Sequence, residues 1–486
     1  MKKSTIIQFS DMHTSSIFPS NKTFVSSIIS DIERQKTEDP QISKPNILVV
    51  CGDIVEGINK ESDTKVASRK TMEQYNKAEA ILNSLCEKFF YGEKNNIVVV
   101  PGNHDVSWSH SRKSMEKIIN QGNLTRILKL PESNYRWDWD EQSYYKISDL
   151  ELYDRRFELF SKFYKSFYEG NRIYPLNPQE QFDIFEYPEE NIIIVGFNSC
   201  FRNDHLNDIG SINPECIADC YERINQKKFI DWVKIAVWHH DIHGSPLRSD
   251  FMDDKTLQFL IDKGFHIGLH GHHHKSDVFE VRFNPDETMK MNVFSCGSLG
   301  AERGSISLGE GRQYGLIELN KDDLHVRFSL RKALDQPPQL PIWMPGNIRQ
   351  NRDKSYIDGV LSSNIGNREK MTTTLTKDLA EVNMLISKKD YSLALEKLTL
   401  LDISNPFVRR LLIECYWQMD RYPELIKVIG KPASLIEFTY LTEALWREKA
   451  FFALKELIEK TKKDKNFASS PIFERIMKKM KDAGYG

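Results

Sequence analysis

Five short apolar runs along this chain end abruptly in polar residues of one chemical kind. IIQF, residues 6–9, leads to Asp11 and His13. NILVV, 46–50, leads through Cys51 and Gly52 to Asp53, and NIVVV, 96–100, through Pro101 and Gly102 to Asn103, His104 and Asp105. KIAVW, 234–238, runs into His239 and His240, and FHIGLH, 265–270, into Gly271 and the histidines 272–274. Continuous apolar runs of this length, bounded by turn residues, predict strands buried on both faces, as in parallel sheets. A strand tip needs only turn residues, so tips carrying carboxylate, carboxamide or imidazole instead offer lone pairs to a metal. Eight of the thirteen histidines fall between His239 and His274.

Residues 22–35 and 71–90 carry helical periodicity between the first strands, and the alternation predicts a layered α/β fold. The stretch 106–190 interrupts it and is rich in aromatics: Trp108, Tyr135, Trp137, Trp139, Tyr144 and Tyr145. Within it Phe157, Phe160, Tyr164 and Phe167 recur at helical spacing. They suit a small core packed on the main domain. The alternative is a lid, because the segment directly follows Asn103–Asp105. Strand-like runs resume at NIIIVGFNSC (191–200), MNVFSCGSLG (291–300), YGLIELN (314–320) and LHVRFSL (324–330). Proline-rich DQPPQLPIWMPG and the polar stretch after it predict a linker or surface strap over 336–371. From 372 to 486 the pattern is helical. DYSLALEKL (390–398) resembles RYPELIKVI (421–429), and KAFFALKEL echoes both from Lys449, which suggests a tetratricopeptide-like array against the alternative of an ordinary bundle. The predicted division is 1–335 with 106–190 inserted, a linker at 336–371, and a helical domain at 372–486.

Composition narrows the function classes. The 486 residues suit two or three domains, and 40% hydrophobic residues suffice for real cores. Sixty-seven basic against sixty-nine acidic residues give a net charge of −2, which excludes a globally basic nucleic-acid binder but not a local patch. No run approaches the ~20 apolar residues of a membrane span, so no membrane is expected and the expected compartment is the cytoplasm. Seven scattered cysteines do not form a disulfide framework. Cys216 and Cys220 form a lone CxxxC, either half of a zinc site or two small residues on one helix turn; structural zinc needs four ligands, which favours the second.

Read in order, Asp11-x-His13, Gly52-Asp53, Gly102-Asn103-His104-Asp105, His239 and Gly271-His272-x-His274 resemble the blocks of the calcineurin-like metallophosphoesterase family. The resemblance spans roughly 4–330. It implies a four-layer α/β/β/α sandwich, with 106–190 as an inserted helical and aromatic cap and an all-α region beyond. It also implies two divalent metals. Asp53 would bridge them, Asp11, His13 and His274 would complete the first, and Asn103, His239 and His272 the second. A metal-activated hydroxide would attack phosphorus, His104 would face the leaving group, and Asp105 would orient His104. His240 is the alternative to His239; His243 is a weaker candidate, and His270 and His273 are expected to support the ligands or to face solvent. The family often has proline soon after the paired histidines, whereas Asp241 stands here, as a further carboxylate near metal two or a changed loop. The Asn-Ser of GFNSC resembles bacterial members, and Ser298 and Arg303 sit where these place a final loop. The mixed oxygen and imidazole donors suit manganese first, then iron, zinc, cobalt or nickel.

The substrate is expected to be a phosphoester: a nucleic acid or nucleotide cut by a phosphodiesterase or nuclease, with a phosphomonoesterase or protein phosphatase as alternatives. A further alternative is a regulatory protein whose residues 372–486 bind a protein partner or self-associate and gate the enzyme. Similar bacterial chains often act in anti-phage defence or signalling.

Overall fold

A computed structural model describes residues 3–15, 21–38, 42–58, 61, 63–118, 133–138, 140–141, 143–243, 250–282, 290–300, 311–321, 324–334, 341–348 and 354–361, and in the C-terminal part 381–382, 385–386, 389–401, 403, 406–432, 435–462, 477 and 480. Trp139, Arg303 and all of 362–380 lie outside the described residues.

Strands β1 (Lys3–Phe9), β2 (Ile47–Cys51) and β3 (Ile97–Val100) lie side by side and parallel, each fully buried apart from Lys3. Helix Asn21–Glu38 connects the first two and helix Thr64–Phe90 the next. The second helix begins at Asp63, whose carboxylate accepts from the N–H groups of Lys65 and Val66, and stops at Tyr91 in the left-handed conformation. Its inward face (Ala67, Thr71, Gln74, Ala78, Ile81, Leu85) keeps the three-to-four-residue spacing that buries one stripe.

In the segment 106–190, β4 (Met115–Lys117), β5 (Tyr135–Asp138) and β6 (Ser143–Ile147) form their own three-stranded sheet. Helix Glu158–Phe167 sends Phe160, Phe163, Tyr164 and Phe167 into the main core, where Phe163 stacks on Tyr75 with ring centroids 4.8 Å apart. Of the two expectations for these aromatics, the core describes this helix.

The second sheet has the order β11-β12-β10-β9-β8-β7, made of β7 (Phe182–Tyr187), β8 (Ile192–Phe197), β9 (Val233–Val237), β10 (Ile267–His270), β11 (Ser276–Arg282) and β12 (Lys290–Cys296). Its inner strands β8, β9, β10 and β12 are parallel. Antiparallel β13 (Gln313–Asn320) and β14 (His325–Leu334) complete the first sheet beside β1. The expected linker needs correction: β15 (Ile342–Pro345) and β16 (Tyr356–Val360), both within 336–371, pair with β14. Short edge strands tolerate prolines at their ends, so the sequence there lacks a strand signature. The two sheets share one continuous core. Gln8, the polar residue of IIQF, crosses between them, donating to the carbonyls of His270 (3.1 Å) and Phe294 (3.0 Å).

The C-terminal region has its own hydrophobic core. Helices Tyr391–Leu398, Tyr422–Ile429 and Phe451–Thr461 each follow a left-handed residue, Lys389, Asp420 and Lys449. The same turn closes all three: Asp390, Arg421 and Ala450 donate their N–H to the carbonyls of Leu385, Tyr416 and Leu445. Among the described residues, no helix is long and apolar enough to cross a membrane.

Candidate metal centre

Parallel strands end on one edge of their sheet, so the tips of β1, β2 and β3 and those of β9 and β10 gather their following residues together. Backbone bonds lock the tips: Asp11 N–H to Gly52 O (3.2 Å), His13 N–H to Asp53 O (2.9 Å) and Gly271 N–H to His239 O (2.9 Å). Five candidate ligands hold left-handed backbone, with φ of 51° at Asp11, 41° at His13, 49° at Asp53, 81° at His272 and 53° at His274. Such residues cost roughly 1–3 kcal/mol each and persist where the surroundings force them, typically at functional sites. Gly52, at φ 81°, is required twice over, since a Cβ there would come within 2.6 Å of His239 Nδ1.

The side chains converge as two groups sharing one carboxylate. In the first, His13 Nε2 lies 3.0 Å from His274 Nε2, which is 3.5 Å from Asp11 Oδ1. In the second, Asn103 Oδ1 lies 2.8 Å from His239 Nε2 and 3.0 Å from His272 Nδ1. Asp53 faces both: Oδ1 is 3.3 Å from His239 Nε2, and Oδ2 is 3.6 Å from His13 Nε2. All seven expected metal ligands are therefore brought together.

The donor chemistry fits divalent cations. His239 Nδ1 donates to the Cys51 carbonyl at 2.9 Å, leaving the Nε2 lone pair pointing at Asn103 Oδ1, itself an acceptor. Acceptors meeting at such distances need a proton or a cation between them. Burial pulls His239 down, but the Asp53 charge outweighs it and pushes the imidazole up to about 9. Burial pushes Asp53 up, yet the surrounding histidines, His239 first, hold it well below the usual carboxylate range.

His104 stands beside these groups, its ring 4.7 Å from that of His13 and its side chain about a third exposed at 34%. Its Nε2 is 4.0 Å from Asp53 Oδ2, while Nδ1 donates to the Glu56 carbonyl at 2.7 Å. This corrects the expected role of Asp105: the backbone of Glu56, rather than that carboxylate, orients His104. Asp105 instead fastens the loops, accepting from Tyr75 Oη (2.8 Å), Gly102 N–H (2.8 Å) and Ile54 N–H (3.2 Å). Burial, then the Asp53 charge, push its carboxyl up to about 7. Asp105→Ala strands three buried donors, each costing about 1–3 kcal/mol. Urea unfolding should show a loss of at least about 3 kcal/mol on that basis, with calorimetry showing weaker metal binding as the Gly102–Asn103 turn loosens. An unchanged midpoint would remove Asp105 from this role.

Supporting residues explain other parts of the sequence. Ser199, of GFNSC, accepts from the N–H groups of His239 (3.0 Å) and His240 (3.2 Å) and faces His240 Nδ1 at 2.9 Å. That engagement occupies His240 Nδ1, while its ring stays beside those of His239 and His272, with centroids 5.5 and 4.8 Å away. Asp241 pairs with His273 Nδ1 at 3.1 Å, fixing the loop between His272 and His274. His270 stacks on Trp238, and Ser298 Oγ donates to the Asp11 carbonyl at 2.9 Å. Cys216 and Cys220 lie buried on helix Pro214–Ile224 and belong to none of the His, Cys, Asp and Glu groupings with metal-ligand spacing among the described residues. The Glu56 carbonyl and Ser199 were missed as site residues; only the Asn-Ser at the end of a strand signalled the second.

None of the curated proteins matches the chain. Similar solved structures include a dimetal phosphatase from Danio rerio, 10% identical over 68% of this chain and 96% of that one, with a TM-score of 0.37. Vacuolar Protein Sorting 29 from Cryptosporidium parvum is 9% identical over 74% of this chain and 98% of that one, with a TM-score of 0.28. The family model described as calcineurin-like phosphoesterase matches residues 4–276, over half the chain and every ligand tip described above, and this protein belongs to that family.

Proposed function

We propose that this protein is a two-metal phosphodiesterase acting on nucleotides or nucleic acid, with manganese as its metal. One observation carries the choice of a diester. Among the described residues, the cationic-type partners within ion-pair distance of Asp11 and Asp53 are histidines. A monoester dianion carries one more negative charge than a diester and gains most from a guanidinium clamp. The half-buried pair Trp137 and Tyr144, with ring centroids 4.6 Å apart, supports a nucleic-acid substrate, since bases stack on such rings.

Two divalent cations held at this site would supply Lewis-acid charge and a water of lowered pKa. The chain's own residues do the rest. Asp53 offers one oxygen to each ligand group. The Cys51 carbonyl orients His239 through its Nδ1–H. His104, with Nδ1–H held by the Glu56 carbonyl, presents Nε2 on the Asp53 side, and in its imidazolium form it is the group placed to protonate the departing oxygen.

The test is turnover of metal-stripped protein, with and without manganese, on bis-p-nitrophenyl phosphate, p-nitrophenyl phosphate and labelled single-stranded DNA. Manganese-dependent cleavage of the diester and the DNA is expected. Cleavage of the monoester alone would replace this reading with a phosphomonoesterase or protein phosphatase. The recurring turn of the helical region supports a second role for 372–486, as a tetratricopeptide-like scaffold that binds a protein partner, as in defence or signalling effectors. Turnover that survives truncation after residue 371 supports that role; its collapse assigns the tail to building the site.

A further inference from the structure

We propose that Asp250, His272 and His273 form an outer cation site that takes zinc and, when filled, withdraws His272 from the manganese pair and stops turnover. The inference rests on the two-metal reading above and adds how that centre is inhibited. Asp250 Oδ2 lies 3.9 Å from His272 Nε2 and 3.7 Å from His273 Nε2. One donor atom from each of the three lies within 4.8 Å of the others, close enough to surround a single ion. The side chains of Asp250, His272 and His273 are 12%, 11% and 20% exposed, so the group is sheltered but reachable. His272 Nε2 is buried and has no hydrogen-bond partner among the described residues. A buried polar atom in that state calls for an explanation, and an ion is one.

The surroundings are those of a built site. His273 Nδ1 meets Asp241 Oδ2 at 3.1 Å, which turns Nε2 toward Asp250. A carboxylate on the far nitrogen is the usual support of a metal-binding histidine. Asp241 Oδ1 also accepts from the His243 N–H at 2.9 Å. The segment carrying Asp250 is stitched to the same loop. Met252 donates its N–H to the Asp241 carbonyl at 2.7 Å, and Asp253 donates its own to the Gly210 carbonyl at 3.2 Å. Asp253 then caps helix Asp254–Asp262, accepting from the Thr256 N–H at 2.9 Å.

The His272 imidazole makes the two sites exclusive. Its Nδ1 lies 3.0 Å from Asn103 Oδ1 and 3.2 Å from His239 Nε2, whereas Nε2 faces Asp250. A neutral imidazole carries one N–H and one lone pair. With the lone pair at Nδ1, His272 serves the inner ligand group and Nε2–H faces Asp250. With the lone pair at Nε2, Nδ1–H donates to Asn103 Oδ1 and the ring serves the outer group. The ring need not turn, and no proton is gained or lost overall. Three protein ligands of this kind with one open position suit zinc, which imidazole donors favour over manganese. Zinc at the outer site leaves the second manganese without His272.

The test titrates zinc into the manganese-loaded, full-length protein and reads bis-p-nitrophenyl phosphate turnover and bound metals together. The wild type should lose turnover and one manganese as one zinc binds. Asp250→Asn and His273→Gln each remove a ligand of the outer site with little change in size. Measured against its own zinc-free rate, each should need at least about tenfold more zinc for half-inhibition, the scale on which losing a supporting residue weakens a metal site. Both should keep two manganese ions at the zinc level that strips one from the wild type. Zinc entering the manganese centre directly inhibits all three proteins alike, and that result overturns the inference. If Asp250 only braces His272 for the inner centre, Asp250→Asn becomes more sensitive to zinc, which overturns it equally. So does a wild type indifferent to zinc. A variant that fails to fold takes up no manganese before zinc is added, and the other variant then decides. If no phosphoester is turned over, the proposed activity fails while the metal counts still decide the outer site. A protein that takes up no manganese sinks both.

Discussion

Asp53→Ala will reduce manganese-dependent turnover to background and strip the protein of metal. Asp53 offers one carboxylate oxygen to each ligand group. One oxygen is 3.3 Å from His239 Nε2 and the other 3.6 Å from His13 Nε2. Without it, two divalent cations would sit among neutral imidazoles, a carboxamide and the single carboxylate of Asp11. Buried charge left without compensation is strongly unfavourable. Asp53 also accepts from the His104 N–H at 2.8 Å, so the turn carrying the proton donor loses an anchor. Alanine is a blunt replacement, because position 53 has φ 49°, a region asparagine tolerates far better. Asp53→Asn keeps shape and backbone and removes only the charge. Metal analysis and bis-p-nitrophenyl phosphate turnover should therefore fail in both variants, while the urea midpoint falls more in Asp53→Ala. Two bound metals and wild-type turnover in either variant would end the bridging role.

The legible parts of this fold are those where one requirement writes several residues at once. A strand buried on both faces must be apolar throughout, so β1, β2, β3, β9 and β10 stand out as runs, and a ligand at each tip breaks the run visibly. The unread parts act through the backbone or through context. Glu56 orients His104 with a carbonyl, a group that every residue carries. Asp105 sits where the family motif suggests a partner for His104, yet its neighbours Tyr75, Gly102 and Ile54 are set by loop geometry. Left-handed φ at five ligands leaves no trace in sequence when the residues are Asp and His rather than glycine. β15 and β16 are edge strands, mostly exposed and flanked by proline or polar residues, so neither apolar continuity nor alternation marked them. The aromatics of Glu158–Phe167 had the right period for burial, but period does not say against what; the answer, Tyr75 and the main core, lies some ninety residues upstream.

His104→Ala should lower kcat by roughly 10²–10⁴-fold while leaving both metals bound. The ring is close enough to the ligand groups to be mistaken for a member: His13, Asp53 and His104 offer atoms within 4.8 Å of one another. Two features set it apart. Its Nε2 remains 4.0 Å from the nearer Asp53 oxygen, whereas His239 approaches to 3.3 Å. Its side chain is also 34% exposed, whereas that of His239 is fully buried. A group that donates a proton to the departing oxygen matters most when that oxygen is a poor leaving group. The loss should therefore reach the upper end of the range for cleavage of DNA, whose leaving group is an alkoxide, and the lower end for p-nitrophenyl esters, which depart without help. Equal losses on both would mean that His104 positions the substrate instead of protonating it. Loss of metal from His104→Ala, read by elemental analysis beside the kinetics, would make the ring a ligand and move the proton to another group.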